Sequence, residues 1–322
     1  MRQARARRFP ARLGFSALAI FTALTGAACG TAPSPSDAKS AASTVRGTPG
    51  GGQADIRGPM RKLEAAYHGR IGAYAVDTGT GRTAGYRAYE RFPSNSSFKA
   101  VLCAAILHKA RTSDPGLLDR TLHWTKDDVV EGSPTTGTAA NIRDGLSTAK
   151  LCRAAITLSD NTAANLLLGQ VGGPRAVTRY YRSLGDPVGR LDRTEPTLND
   201  WHPGQRRDTI MPAYMARDLR TVTLGRALVP ADRARLTGWL RATTTGDKRI
   251  RAGLPKGWTA GDKTGTGGMY ATAGDIAIAW PSPGAAPVIL SVYTNRPSKS
   301  AKPNDAAIAH TATILIHALG TS

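Results

Sequence analysis

The chain has 322 residues, 41% of them hydrophobic, with 35 glycines and 20 prolines, an ordinary globular composition that excludes a collagen-like or wholly disordered protein. The formal net charge is +20, but the arginines at 2, 5, 7, 8 and 12 belong to the leader and the other basic residues are scattered, which excludes nucleic acid as a partner. A solvated basic surface, or attraction to anionic wall polymers or lipid head groups, accounts for the excess.

In chain order, Arg2, Arg5, Arg7, Arg8 and Arg12 precede an apolar run from Leu13 to Ala28. The run is too short for a permanent membrane helix and is placed like the apolar region of an export signal. Phe9 and Pro10 follow Arg7-Arg8 where a twin-arginine signal prefers other residues, so ordinary secretion is expected. Residues 1–28 therefore read as a signal peptide. Cys29, after Gly26-Ala27-Ala28, reads as a lipidation site, which predicts a protein secreted or lipid-anchored on the outer side of the membrane. Residues 29–55 are rich in Ala, Ser, Pro, Gly and Thr and bury too little to offset their ordering entropy, as in a flexible tether.

Residues 56–322 read as the folded part, starting near Gly58 with a helix through Leu63 and Tyr67. A strand from Gly72 to Asp77, a Thr78-Gly79-Thr80-Gly81 turn and a returning strand near Tyr86 make a hairpin. From Ser96 to Leu107 the apolar spacing is helical, and helical segments with loops continue to about Leu240. After Trp258 strands return, at Asp275 to Trp280 and Val288 to Thr294, before a closing helix from Ala306 to Leu319 in which His310 and His317 are ordinary helix residues. This order predicts an α/β plus all-α fold: an antiparallel sheet flanked by helices from about 56–92 and 241–322, with an all-α part, about 93–240, inserted in sequence. A cleft between two such parts is the expected ligand site.

A serine nucleophile needs a base within hydrogen-bond reach, and a lysine three residues later on a helix lies one turn away. Ser-x-x-Lys occurs three times, at Ser36 with Lys39, Ser96 with Lys99, and Ser147 with Lys150. Ser36 lies in the tether, and Ser147 precedes a helical run where capping is the natural role. Ser96 opens a strongly apolar helix whose N-terminal amides favour anionic charge, although a plain cap is the competing reading. The six histidines form no His-x-His pair, so no metal site is predicted. Export to an oxidising compartment would allow Cys103 and Cys152 to pair, closing a loop worth roughly 4 kcal/mol in the chain-entropy model.

Ser96-Ser97-Phe98-Lys99, Ser159-Asp160-Asn161 and Lys263-Thr264-Gly265 stand in the order and approximate spacing of the penicillin-recognising serine enzymes. With Arg91-Phe92-Pro93, the run Ala154 to Asn165, and Asp262 to Gly267, the folded part resembles class A serine β-lactamases of the actinobacterial type. Arg190 to Asn199 resembles the Ω-loop that separates these enzymes from their transpeptidase relatives. The resemblance implies β-lactam hydrolysis through a serine acyl-enzyme by a monomer, with a small-molecule β-lactam as partner and no cofactor. A DD-peptidase or transpeptidase-like wall enzyme is the alternative, and a non-catalytic wall-binding lipoprotein a third reading.

The resemblance also implies roles. Ser96 is the nucleophile, Lys99 or Glu195 the base that takes its proton, Ser159 the proton relay to the lactam nitrogen, and Glu195 with Asn199 the holder of the deacylating water. Asn161 binds the substrate's side-chain amide, the backbone amides of Ser96 and Thr266 form the oxyanion hole, and Lys263, Thr264, Gly265 and Thr266 receive the substrate carboxylate. Arg249 matches the supporting arginine of actinobacterial members, Arg193 and Asp208 the ion pair closing the Ω-loop, and Glu195-Pro196 a cis peptide. Cys103 and Cys152 match a disulfide some members carry. Gly132-Ser133-Pro134, Ser94, Asn95 and Gly268 depart from the commoner residues and bear on substrate preference.

Overall fold

The computed structural model describes residues 52–321. The signal peptide, Cys29 and most of the tether lie outside the described residues. The first elements are β1 (Gln53–Ala54), α1 (Arg57–Tyr67), β2 (Arg70–Asp77), β3 (Thr83–Tyr86) and β4 (Phe92–Pro93). Next come α2 (Phe98–Thr112), β5 (Thr121–Leu122), α3 (Ala139–Asp144), β6 (Leu146–Ser147), α4 (Thr148–Thr157), α5 (Asn161–Val171) and α6 (Pro174–Ser183). The chain ends with β7 (Thr209–Ile210), α7 (Pro212–Thr223), α8 (Pro230–Arg241), β8 (Thr259–Thr266), β9 (Ala273–Trp280), β10 (Val288–Asn295) and α9 (Asp305–Leu319).

Six strands form one sheet in the order β1-β3-β2-β10-β9-β8, so the first hairpin and the last three strands meet through β2 and β10. That pair runs antiparallel from Val288↔Asp77 to Asn295↔Arg70. The sheet is mixed rather than purely antiparallel, because β1 pairs parallel with β3. A two-residue strand has no periodicity to read, so β1 stands ahead of the start expected near Gly58. Both faces of the sheet are covered, so its central strands are apolar nearly throughout. Met60, Tyr67, Ile308, Leu315 and Leu319 of α1 and α9 pack on one face with Ile71, Leu290 and Val292. On the other, Phe98, Leu102 and Ile106 of α2 and Met215 and Leu219 of α7 join one core with Ile276, Ile278 and Ile289.

Two expectations need correction. Helix α7 lies in the segment assigned to a separate all-α part, yet it packs on β2, β9 and β10. The first returning strand is β8, ahead of Asp275; its buried polar residues Asp262, Lys263 and Thr264 hide the apolar pattern of a core strand.

Cys103 of α2 and Cys152 of α4 are buried side by side as free thiols. The Cys103 sulfur faces the Cys152 carbonyl oxygen at 3.7 Å, so the disulfide implied by resemblance is not formed in this structure. Ser147 caps α4, accepting from the Lys150 N–H.

Candidate active site

Ser96 sits in a single 3-10 turn, Asn95–Ser97, at the head of the buried helix α2. Its hydroxyl caps no helix. It donates to Glu195 Oε1 at 2.9 Å and stays 7% exposed, enough to be reached from outside. Asn95, just before it, has a left-handed backbone (φ 43), and so does Ser159 across the cleft (φ 59). Such conformations persist at non-glycine positions only where the surroundings enforce them. β8 passes so close to this turn that a Cβ at Gly265 would stand 2.9 Å from Ser94 O and 3.1 Å from Ser96 N. Glycine there lets the β8 edge approach the Ser96 amide.

Lys99 points from the next turn of α2 into the same place, with no exposed side-chain surface. Its Nζ donates to Ser159 O (2.7 Å) and Asn161 Oδ1 (2.6 Å) and pairs with Glu195 Oε1 (2.9 Å). Burial pushes the Lys99 pKa down, and the Glu195 charge opposes that. Lys99 makes no hydrogen bond to Ser96 among the described residues; Glu195 stands between them. Lys263, on β8, donates to Ser159 Oγ at 3.0 Å and to Thr264 O at 2.6 Å. Burial and the charge of Lys99 push the Lys263 pKa down to about 7. Ser159 and Asn161 flank the N-cap of α5: Asp160 accepts from Ala163 N, Thr135 N and Thr136 N, fixing the loop that holds them.

Glu195 comes from an irregular loop and must be held by its neighbours. Asn199 Nδ2 donates to Glu195 Oε2 at 2.6 Å, while Asn199 Oδ1 is buried with no hydrogen-bond partner among the described residues. Arg193 Nε pairs with Asp208 Oδ2 at 2.6 Å, and Asp208 Oδ1 also accepts from Asp192 N and Arg193 N. Arg190 pairs instead with Asp192. The Glu195-Pro196 peptide is cis, as expected.

Thus five side chains separated by as much as 167 positions in sequence, Ser96, Lys99, Ser159, Glu195 and Lys263, share one hydrogen-bonded cluster. A hydroxyl touching a carboxylate, two buried ammonium groups and a second serine suit nucleophilic attack, proton relay and hydrolysis. A family model described as "Beta-lactamase enzyme family" matches residues 56–319.

The chain belongs to the β-lactamase enzyme family. A β-lactamase of Streptomyces fradiae is 46% identical over 281 residues, 87% of this chain and 90% of that protein. The carbapenem-hydrolyzing β-lactamase KPC of Klebsiella oxytoca is also 46% identical, over 82% of this chain and 89% of that protein. The crystal structure of a β-lactamase from Streptosporangium roseum is similar with a TM-score of 0.81 at 58% identity, covering 83% of this chain and 98% of that one. The chain is a class A serine β-lactamase that hydrolyses β-lactam antibiotics through a serine acyl-enzyme, and the wall-peptidase alternative is set aside.

The remaining predicted residues lie around the enzyme's cluster at different distances. Thr264 Oγ1 is hydrogen-bonded to Thr245 Oγ1 at 2.7 Å. Thr266 is exposed at the end of β8, and Arg249 Nη2 donates to its hydroxyl at 2.7 Å. The rest of the Arg249 guanidinium is occupied from beneath by Asp305 and by the carbonyls of Gly265 and Gly274. Arg249 thus reaches the cleft through Thr266. Asn161 Nδ2 donates to Glu131 O, beside the Gly132-Ser133-Pro134 rim.

Asn165 escaped assignment in the sequence. Its side chain accepts from Glu195 N (2.9 Å) and donates to Glu195 O (2.8 Å), clamping the carboxylate's backbone. The available signal was spacing: Asn161 and Asn165 are four apart on α5 and so share a face.

Proposed function

We propose that Ser96 is the nucleophile acylated by penicillin-type β-lactams and that Glu195 with Asn199 directs the water that releases the acyl group. Ser96 Oγ attacks the lactam carbonyl, its proton passes to the Glu195–Lys99 pair, and the C–N bond breaks as Ser159 delivers a proton to the ring nitrogen and regains one from that pair across the Lys99 Nζ–Ser159 Oγ contact. The amides of Ser96 and Thr266 hold the developing oxyanion, a contact worth roughly 3–4 kcal/mol per donor in enzymes of this kind. Lys263, Thr264, Gly265 and Thr266, with Arg249 behind Thr266, receive the substrate carboxylate, and Asn161 its side-chain amide. Water activated by Glu195 then cleaves the ester, returning a proton to Ser96 and releasing the opened acid.

The observation that carries this reading is the placing of one carboxylate, Glu195, in hydrogen-bond contact with Ser96, Lys99 and Asn199 at once. Peptide mapping after a millisecond quench with benzylpenicillin tests it: the adduct is expected on the Ser96 peptide and absent from Ser96→Ala. A penicilloyl group on another residue would refute the assignment.

Export and a lipid on Cys29 belong to the same proposal, supported by the apolar run Leu13 to Ala28 and the small residues before Cys29, and a monomeric state joins it on the family resemblance alone. Among the described residues no helix is long and apolar enough to cross a membrane. Radiolabelled fatty acid incorporated by the wild type and not by Cys29→Ser is the expected result.

A further inference from the structure

Two walls of the cleft come from different elements: the loop bearing Glu195 and Asn199, and the β8–β9 hairpin that follows Thr266. They meet first at Gly267, where a Cβ would stand 3.4 Å from Asn199 O. Farther out, Trp201, two residues beyond Asn199, meets Tyr270 edge-on, with ring centroids 6.1 Å apart and planes at 88°. This is the favoured geometry for an aromatic pair, positive edge to negative face.

Each ring is anchored in its own wall. Trp201 is 3% exposed, and its Nε1 donates to Gln205 O at 3.1 Å. Tyr270 is held from behind, its N–H donating to Lys299 O and its carbonyl accepting from Arg296 N. Tyr270 and Ala271 both have left-handed backbones (φ 55 and 50), which fixes where the ring is presented. The neck of the loop is braced by Arg193 with Asp208, and Glu195 itself by Asn165. The stretch after Asn199 meets the hairpin through Trp201.

We propose that Trp201 and Tyr270 are positioning residues for deacylation: their contact latches the Glu195 loop to the hairpin and sets where Glu195 and Asn199 stand relative to acylated Ser96. The proposal rests on the roles given above to Glu195 and Asn199. It singles out deacylation because Ser96, Lys99, Ser159 and Lys263 sit on α2, the head of α5 and β8, and Lys99 is anchored independently by Ser159 O and Asn161. A loosened loop leaves those groups in place and moves the pair that directs water. Misplacement by an ångström is enough to cost a large rate factor.

The test is quenched-flow mass spectrometry of the full-length protein with benzylpenicillin, on Trp201→Ala, Tyr270→Ala, the double variant, Trp201→Phe and Glu195→Ala. In each alanine single variant the adduct lifetime is expected to lengthen about ten-fold while acylation, for which Lys99 remains the anchored member of the proton-accepting pair, slows clearly less. The double variant should live no longer than the singles, and Trp201→Phe should restore most of the wild-type lifetime. Tyr270 is only partly buried, so Tyr270→Ala carries the same expectation should Trp201→Ala fail to fold. A wild-type lifetime in the alanine variants, equal slowing of both steps, or additive effects in the double variant would overturn the latch. Failure of Glu195→Ala to trap an adduct would overturn the underlying assignment instead; trapping there with normal turnover in Trp201→Ala removes only the latch.

Discussion

Lys263 Nζ donates a 3.0 Å hydrogen bond to Ser159 Oγ. An ammonium has donors and no acceptor, so it fixes Ser159 Oγ as the acceptor and leaves the serine's own hydrogen free for another partner. In the mechanism proposed above, that partner is the departing lactam nitrogen.

This arrangement needs the cation, and burial beside Lys99 lowers the Lys263 pKa to about 7. The charged form dominates below that value and is lost above it. Because kcat/KM reports the free enzyme, it is expected to fall as pH rises through about 7 for an anionic penicillin. Lys263→Arg keeps its charge throughout this range and should move that descending limb upward by at least a unit, even if its maximum is lower. A limb in the same place in both proteins would assign it to another group.

Asp218 gives a second pH prediction, on stability. It is fully buried on α7, and neither carboxyl oxygen has a hydrogen-bond partner among the described residues. Burial first, then the nearby Asp186, push its pKa from 3.8 up to about 9, with Arg217 and Arg182 opposing. The folded state therefore keeps a proton that the unfolded chain releases near 3.8. That contribution is fully present below the unfolded value and is lost as pH rises, levelling off above about 9. Asp218→Asn should remove the slope and stabilise the protein at pH 8 by on the order of 2 kcal/mol. Thermal melts between pH 5 and 9 check this; parallel curves for variant and wild type would contradict it.

Asp208→Ala strands Arg193 and two backbone amides at the neck of the Glu195 loop. Breaking a buried pair typically costs about 3–5 kcal/mol, which lowers the midpoint of unfolding by roughly 10 °C. The acyl-enzyme should also outlive that of the wild type, because the freed loop carries Glu195. Calorimetry together with adduct lifetimes measures both.

The sequence resolved chemistry better than packing. Ser96, Ser159 and Lys263 stand in short motifs whose spacing needs no structure to read, and the structure brings all three together. It could not reveal that Glu195 stands between Ser96 and Lys99, since a helical i,i+3 step says nothing of a loop arriving 99 positions later. β8 is not legible in the sequence because Asp262, Lys263 and Thr264 are buried and polar, which removes the alternation that marks a strand. Helix α7 went to the wrong part because amphipathic spacing reports a buried face and not the partner covering it. The cysteine spacing identified neighbours, not a bond.

Time-resolved mass spectrometry of wild type and Glu195→Ala with benzylpenicillin decides whether Glu195 deacylates Ser96. A transient adduct is expected on the wild type and a persistent one, at least about a hundred-fold longer-lived, on the variant. An adduct that clears equally fast from both proteins would contradict it.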